Sequence, residues 1–227
     1  MKQWIVIMVA AITIELAGCQ APEARHGKPR RFEFPHGPGM VARILDVKPL
    51  PSGVPTDISE VIQLPDVAVS ECTWRILAGP NSSTCPATVT YDDRAGGLDI
   101  LVDKGWVYVV VVRTPSSGTP AGSSWGKART RRVSGTASGT RFLVQEQGNM
   151  HRVIQLSSGA SDKVTATLEA SAKDTQDLTS GRTYFEVGED AQRLPPPASI
   201  TDPNSEIGKF VAGVEDIARG AGLPWSG

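Results

Sequence analysis

The residues best suited to chemistry lie around position 124. Gly122-Ser123-Ser124-Trp125-Gly126 fits G-x-S-x-G, a spacing that exposes a nucleophilic serine on a sharp turn between a strand and a helix. The residues before this motif are rich in Ser, Gly and Pro, and His151 is the only histidine after Ser124. Because neither the strand nor the helix is predicted, a serine hydrolase that uses Ser124 is an alternative hypothesis here.

The same stretch combines an aromatic residue with several cations. Residues 114–140 are crowded with Ser, Gly and Thr, and we predict one long loop there. Long loops in compact domains often have a function, although a mobile, solvated loop is an equal alternative. The residues of this loop that could bind an acidic partner or an anionic envelope polymer are Trp125, Lys127, Arg129, Arg131 and Arg132.

The N-terminus has the anatomy of an export signal. Lys2 precedes an apolar run at 4–14, which is shorter than the roughly 20 residues of a membrane-spanning helix. The segment ends in Leu16-Ala17-Gly18-Cys19, which resembles the lipobox of bacterial lipoproteins. This resemblance implies cleavage before Cys19, acylation of Cys19 by fatty acids such as palmitate, and anchoring in a bilayer. Gln20, in place of Asp, implies the outer membrane rather than the inner membrane; an ordinary secretory signal is the alternative.

The other two cysteines, Cys72 and Cys85, form an even pair. In an oxidising compartment such thiols are usually found as disulfides, and the turn-forming residues 79–83 lie between them. We therefore predict a Cys72–Cys85 disulfide, with two buried thiols as the alternative. No nearby histidine completes a metal shell, so we predict no metal site at the cysteines.

Composition excludes several classes of function. The formal net charge of −1 and the pI near 6.3 give no reason to expect nucleic-acid binding. The sequence contains no phosphate-binding glycine loop, dinucleotide fingerprint or H-E-x-x-H motif, so we expect no cofactor. Asp92, Asp93, Asp99 and Asp103 do not have the spacing of a calcium loop, and solvated turn carboxylates are the simpler interpretation.

The chain divides into four parts by composition. We expect a signal peptide at 1–18 and, at 19–39, the cysteine whose acylation the lipobox resemblance implies, followed by a Pro- and Gly-rich tether. We expect a β-rich domain at 40–194 and, at 195–227, a Pro-rich linker and a C-terminal helix that packs on that domain. The helix is indicated by a one-sided apolar pattern after Ser205, a plausible N-cap, and by Gly220 at its end.

Alternating apolar and polar residues predict the strands of the domain. These strands are 41–47, 61–64, 72–77, 87–91, 98–102, 106–113, 141–146, 151–156, 164–170 and 183–187. Residues 87–113 are predicted as a meander of three strands that turns at 96–97 and again at 103–105. Residues 141–156 are predicted as a hairpin, and the apolar run 109–112 as a central strand covered on both faces.

These observations together predict a mainly β protein, an antiparallel sandwich-like domain with one C-terminal amphipathic helix. The expected role is that of an envelope lipoprotein which acts as a non-catalytic binding or structural module. An alternative is an inhibitor or immunity lipoprotein directed against a periplasmic toxin or lytic enzyme. The expected location is the outer membrane, on its periplasmic or outer surface, with the bilayer as one partner and an unidentified envelope protein or polymer as the other.

Overall fold

The computed structural model describes residues 47–82, 84–94, 96–113, 125–156, 163–179 and 181–223. Strands dominate this part of the chain, and one helix lies near its end. The strands are β1 (Pro55–Ile58), β2 (Ile62–Val69), β3 (Cys72–Gly79), β4 (Ala87–Asp92), β5 (Leu98–Arg113), β6 (Gly126–Arg129), β7 (Val133–Ala137), β8 (Arg141–Gln147), β9 (Met150–Gln155), β10 (Val164–Leu168), β11 (Ser171–Leu178), β12 (Thr183–Gly188) and β13 (Ala198–Ser199). The helix, α1, spans Glu206–Gly220. The predicted mainly β fold with one C-terminal helix is confirmed.

The strands form two sheets that share β5. Sheet A has the order β2-β3-β5-β8-β9-β12-β13, and sheet B has the order β1-β4-β5-β6-β7-β10-β11. All described pairings between these strands are antiparallel except that of β5 with β6. The first half of β5 belongs to sheet B and the second half to sheet A. β5 changes sheet at Gly105, whose φ of +97° is a conformation that residues with a Cβ avoid.

Most of the core lies between the two sheets. Buried residues of both sheets contribute to it, among them Trp74 of sheet A and Ile100 of sheet B. Trp74 meets Phe142 edge to face, with ring centroids 5.8 Å apart and an angle of 83° between the planes. Edge-to-face contact is a favourable arrangement for buried aromatic rings.

Helix α1 covers the outer face of sheet A. Along the second half of β5, Val107, Val109 and Val111 point into the space between the sheets, whereas Trp106, Tyr108 and Val110 pack with the helix. The prediction of a doubly covered strand is therefore confirmed for 109–111, but Val112 is 37% exposed. Because successive side chains of a strand point to opposite faces, β5 contributes both to the core between the sheets and to the core between sheet A and α1.

The termini of α1 fit the sequence-based expectation. The Ser205 hydroxyl accepts a hydrogen bond from the Gly208 amide at 3.1 Å, which makes Ser205 the N-cap. The helix ends at Gly220 as expected, and Val211, Val214 and Ile217 of its apolar face are buried. Glu215 on the same helix forms ion pairs with Arg141 and Arg182, so α1 is held by charge as well as by apolar packing.

The predicted meander at 87–113 is wrong in its second turn. Asp103, Lys104 and Gly105 do not end a strand; they lie inside β5, which bends there and continues into the other sheet. Strands predicted as separate neighbours at 98–102 and 106–113 are therefore two halves of one strand. The hairpin at 141–156 is confirmed as β8 and β9, with Gly148 at a φ of +63° in the turn.

Several strands lacked a clear sequence signal. The prediction omitted β1, β6, β7, β11 and β13. β11 is charged and largely solvated, whereas β6 and β7 contain Gly, Ser and Thr in place of the usual large β-formers. The expected strand at 41–47 lies outside the described residues except for Val47, which forms an isolated parallel bridge with Gln63.

Candidate functional site

The stretch predicted as one long loop contains two strands. Residues 126–129 form β6 and residues 133–137 form β7, so the loop prediction is wrong for this part, whereas 114–124 lie outside the described residues. Ala128 and Val133 are buried, and a Cβ at Gly135 would touch Phe142 and Val153. The small residues of this stretch thus permit close packing between sheets A and B.

Trp125 is an exposed aromatic residue whose backbone is hydrogen-bonded to β5. Its carbonyl accepts a hydrogen bond from the Leu98 amide at 2.8 Å, and its indole ring packs directly against Gly97. The residue is 44% exposed, which makes it one of the large apolar residues that the described surface presents to solvent. Exposed aromatic residues of this kind are typical anchors of binding surfaces.

The cations that follow Trp125 have partners within the domain. Arg129 lies 2.8 Å from Asp99, and Lys127 lies 3.9 Å from Asp99 and 3.7 Å from Glu169. Because β5 and β6 pair in register at Asp99 and Lys127, the strand pairing itself brings these charges together.

The other two predicted binding residues lie in the turn between β6 and β7. Arg131 is 3.7 Å from Asp103, and an Arg132 guanidinium N–H donates to the carbonyl of Ala191 at 2.8 Å. The structure therefore gives each of the four predicted cations a partner within the domain: carboxylates for Lys127, Arg129 and Arg131, and a carbonyl for Arg132. These contacts also place Asp99 and Asp103 in ion pairs, and no metal-binding cluster occurs among the described residues.

The predicted Cys72–Cys85 disulfide is wrong. Cys72 is a free, buried thiol at the start of β3, so it forms no disulfide with Cys85, which follows the far end of that strand. The two ends of an eight-residue strand are about 23 Å apart, far beyond the roughly 7 Å between Cα atoms that a disulfide tolerates. The turn at 79–83 leads β3 out of sheet A and into β4 of sheet B, so the two strands do not pair. Burial raises the pKa of the Cys72 thiol, although the nearby Arg113 opposes this.

His151 lies in the interior of the domain and contacts a carboxylate. It is fully buried on β9, and its Nε2 lies 3.1 Å from a carboxylate oxygen of Glu189. Ser124 lies outside the described residues.

His151 belongs to a buried ionisable cluster that the sequence analysis missed. Glu146 of β8 and His151 of β9 are direct cross-strand partners, and Glu146 is only 4% exposed. Desolvation raises the pKa of Glu146 to about 7; Arg131 opposes this shift and Glu189 adds to it. Burial lowers the pKa of His151, and the hydrogen bond to Glu189 partly offsets the effect. The confirmed hairpin register could have paired the two residues, but nothing in the sequence indicated their burial.

A second network of polar side chains connects strands of sheet A with the turn after β3. Gln145 donates to Asn81 at 2.9 Å and accepts from Arg152 at 3.0 Å, and Arg152 also pairs with Glu186. Gln145 is almost fully buried, so these hydrogen bonds satisfy polar atoms that water does not reach. This network fixes strands β8, β9 and β12 in relation to the turn after β3.

The predicted lipidation site, Cys19, lies outside the described residues, as do the predicted signal peptide and the predicted tether. Among the described residues, α1 is too short and too polar to cross a bilayer, and none of the other segments is such a helix.

Comparison with known proteins shows no family. No family model and no curated protein matches the chain. Two crystal structures of a proposed anti-sigma factor from Parabacteroides distasonis ATCC 8503, at 2.50 Å and 1.65 Å resolution, are similar at 12% and 13% sequence identity. They cover 72% and 77% of this chain, and the chain covers 74% and 76% of theirs, with TM-scores of 0.42 and 0.40.

Proposed function

We propose that this chain is a lipid-anchored protein of a bacterial cell envelope whose β domain binds an envelope partner without catalysing a reaction. The observation that carries the anchor is the N-terminal sequence, a short apolar run followed by Leu16-Ala17-Gly18-Cys19. Two or more acyl chains hold a protein stably at a bilayer, whereas one holds it only marginally. Gln20 favours the outer membrane.

The contacts within the domain support a binding role over a catalytic one. His151 is fully buried and hydrogen-bonded to Glu189, and helix α1 is occupied in covering sheet A. Trp125 is exposed, and Lys127 beside it retains partial access to solvent. We propose the surface around Trp125 as the place where the partner makes contact.

The anchor is tested by expressing the full chain in bacteria supplied with an alkyne analogue of palmitate. The wild-type chain and Cys72→Ala should incorporate the label and sediment with membranes, whereas Cys19→Ala should be unlabelled. Mass spectrometry of the mature protein, with and without reductant, separates a lipid on Cys19 from a disulfide there, because one sulfur cannot carry both. A mature chain without acyl groups would contradict the anchor.

The contact surface is tested by placing a photo-crosslinking amino acid at position 125 of the anchored protein. The control places it at Val54, which is 48% exposed. We expect one discrete crosslinked species from position 125 and none from position 54. Equal crosslinking at both positions, or none, would remove Trp125 from the proposal. A serine-reactive probe that labels the wild type but not Ser124→Ala would contradict the non-catalytic role.

A further inference from the structure

The outer face of sheet B carries polar side chains and one aromatic ring. The inward residues of its strands, such as Leu98 and Ala128, belong to the core between the sheets, so the residues next to them along each strand point away from that core. These outward residues keep partial or full access to solvent. Among them are Thr88 and Thr90 of β4, Asp99, Leu101 and Asp103 of β5, Lys127 and Arg129 of β6, Thr136 of β7, Thr165 and Thr167 of β10, and Thr175 and Asp177 of β11.

Trp125 is the aromatic platform of this face. It lies two residues before Lys127, so strand alternation places the two side chains on the same side of the sheet. A Cβ added to Gly97 would overlap Cδ2, Cε2 and Cζ2 of the indole at once, which places the Gly97 backbone against the flat face of the ring and not against its edge. Gly97 is buried, whereas Trp125 is 44% exposed. The opposite face of the ring is therefore the part available to a ligand.

The charged side chains nearest to Trp125 hold one another in place. The Arg129 Nε–H donates to both oxygens of Asp99, at 2.8 and 3.1 Å, and Lys127 lies 3.9 Å from Asp99 and 3.7 Å from Glu169. All four side chains remain about one quarter exposed. A guanidinium has five N–H donors and an ammonium has three, so both cations can donate to a ligand without breaking these contacts. Their mutual pairing fixes these groups before a ligand arrives.

Threonine hydroxyls continue the polar surface across β7, β10 and β11. Thr136 and Thr165 are cross-strand partners, and the Thr165 hydroxyl donates to Asp177 at 2.8 Å. The hydroxyls of Thr167 and Thr175 are 3.3 Å apart. Because a hydroxyl both donates and accepts hydrogen bonds, this row suits a ligand that itself carries many hydroxyls.

The ion pairs on this face contain as many anions as cations. A polyanion is attracted by an excess of positive charge, and these pairs provide no such excess. Charge complementarity therefore favours an uncharged partner over the anionic polymer expected from the sequence. The pairs join Lys127 and Arg129 to Asp99 and Glu169, Arg131 to Asp103, and Lys163 to Asp177.

We propose that the outer face of sheet B binds a neutral polysaccharide, with one sugar ring stacked on Trp125 and its hydroxyls hydrogen-bonded to Asp99 and Lys127. The C–H groups on one face of a pyranose ring carry partial positive charge, and they are attracted to the negative face of an aromatic ring. Alternate residues along a strand are about 7 Å apart, so a sugar on Trp125 has the polar side chains of the next row beside it. This inference rests on the proposed binding function and names the chemical class of the partner.

Affinity electrophoresis of the full chain tests the proposal, in native gels that contain dextran, laminarin or mannan and a detergent without sugar groups. At least one of these polysaccharides should retard the wild type. Trp125→Ala should lower the apparent affinity at least about tenfold, whereas Trp125→Phe keeps an aromatic ring and should stay within about threefold of the wild type. Retardation by none of the three, or equal retardation of the wild type and Trp125→Ala, would overturn the proposal.

A matched pair of charge variants tests the polar part of the face. Asp99→Asn should lower the affinity about threefold or more, because it weakens an acceptor beside the platform. Asp66→Asn is the control, since Asp66 lies 3.3 Å from Arg75 in sheet A, in an ion pair that is also exposed, and it should leave the affinity unchanged. Equal losses in both variants would contradict a role for Asp99 in binding.

Dextran sulfate separates a neutral partner from a polyanion. Binding to a neutral polysaccharide should persist when NaCl is raised from about 50 to about 500 mM, because screening acts only on charge. Binding to dextran sulfate alone, lost at high salt, would overturn the proposal. If the polysaccharides fail but the photo-crosslinker at position 125 still yields a discrete protein adduct, the polysaccharide is excluded and the proposed binding function stands; failure of both experiments would remove both.

Discussion

The guanidinium of Arg182 donates a hydrogen bond to the Glu215 carboxylate at 2.6 Å, and so ties α1 to the residue just before β12. Arg141 of β8 lies 3.3 Å from the other oxygen of the same carboxylate. Glu215 is nearly buried, whereas Arg182 is about half exposed. A single carboxylate on α1 therefore joins the helix to two positions in sheet A, beside the apolar contacts of Val211 and Val214.

Removing this carboxylate should weaken the docking of α1. We expect Glu215→Ala to lower the free energy of unfolding by about 2 kcal/mol, because it leaves Arg141 partly buried without its anion, while the exposure of Arg182 limits the loss. The control is Asp216→Ala, which removes an exposed ion pair with Arg219 and should cost less than about 0.5 kcal/mol. Urea unfolding measures both; equal effects would show that the buried pair is not important for stability.

The bend of β5 at Gly105 should tolerate no side chain. A Cβ there would lie 2.5 Å from both the Gly79 carbonyl oxygen and the Ala87 Cβ, in addition to the strain of a φ of +97°. We expect Gly105→Ala to destabilise the fold by about 3 kcal/mol or more.

Gly148 is the matched control for Gly105. Its φ is +63°, but a Cβ there would meet no atom within 4 Å. Gly148→Ala should therefore cost only about 1 kcal/mol, from backbone strain alone. Denaturant unfolding of the two variants separates steric overlap from strain, and similar losses would contradict the close approach at Gly105.

Local patterns predicted the local parts of this fold. The alternation at 164–168 indicated β10 with one buried face, and the turn at 147–149 indicated the β8–β9 hairpin. The one-sided apolar pattern after Ser205 indicated α1 and its contact with the sheet. Each of these predictions depends on residues close together in the chain, where periodicity and turn chemistry are informative.

The arrangement of the sheets could not be predicted in the same way. Asp103-Lys104-Gly105 has turn composition whether a strand ends there or bends there, and only the tertiary structure decides. The same holds for Cys72 and Cys85. A hairpin would bring them together, but Cys72 begins β3 and Cys85 follows the far end of that strand. The burial of Glu146 depends on how the two sheets meet, which involves positions far apart in sequence.

The stability of the whole domain should depend on pH through Glu146. Because its pKa is about 7 in the folded chain and 4.5 in water, its stabilising effect is complete below 4.5 and is lost as the pH rises through 7. The wild type should therefore lose about 2.5 kcal/mol relative to Glu146→Gln between pH 5 and pH 8.5. Urea midpoints at these two pH values measure the difference. If the urea midpoints of the two proteins changed equally with pH, the ionisation of Glu146 would have no effect on stability.

The chemistry of Cys72 provides the last prediction. Its thiol is buried, and burial raises its pKa, so little reactive thiolate is present and reagents have poor access to it. In the native chain Cys72 should react with iodoacetamide at least about tenfold more slowly than in 6 M urea. Peptide mapping identifies the modified residue, and Cys72→Ala serves as the control for labelling elsewhere. Fast native labelling at Cys72 would show that this end of β3 opens readily, and a Cys72–Cys85 crosslinked peptide would contradict the placement of these residues at opposite ends of the strand.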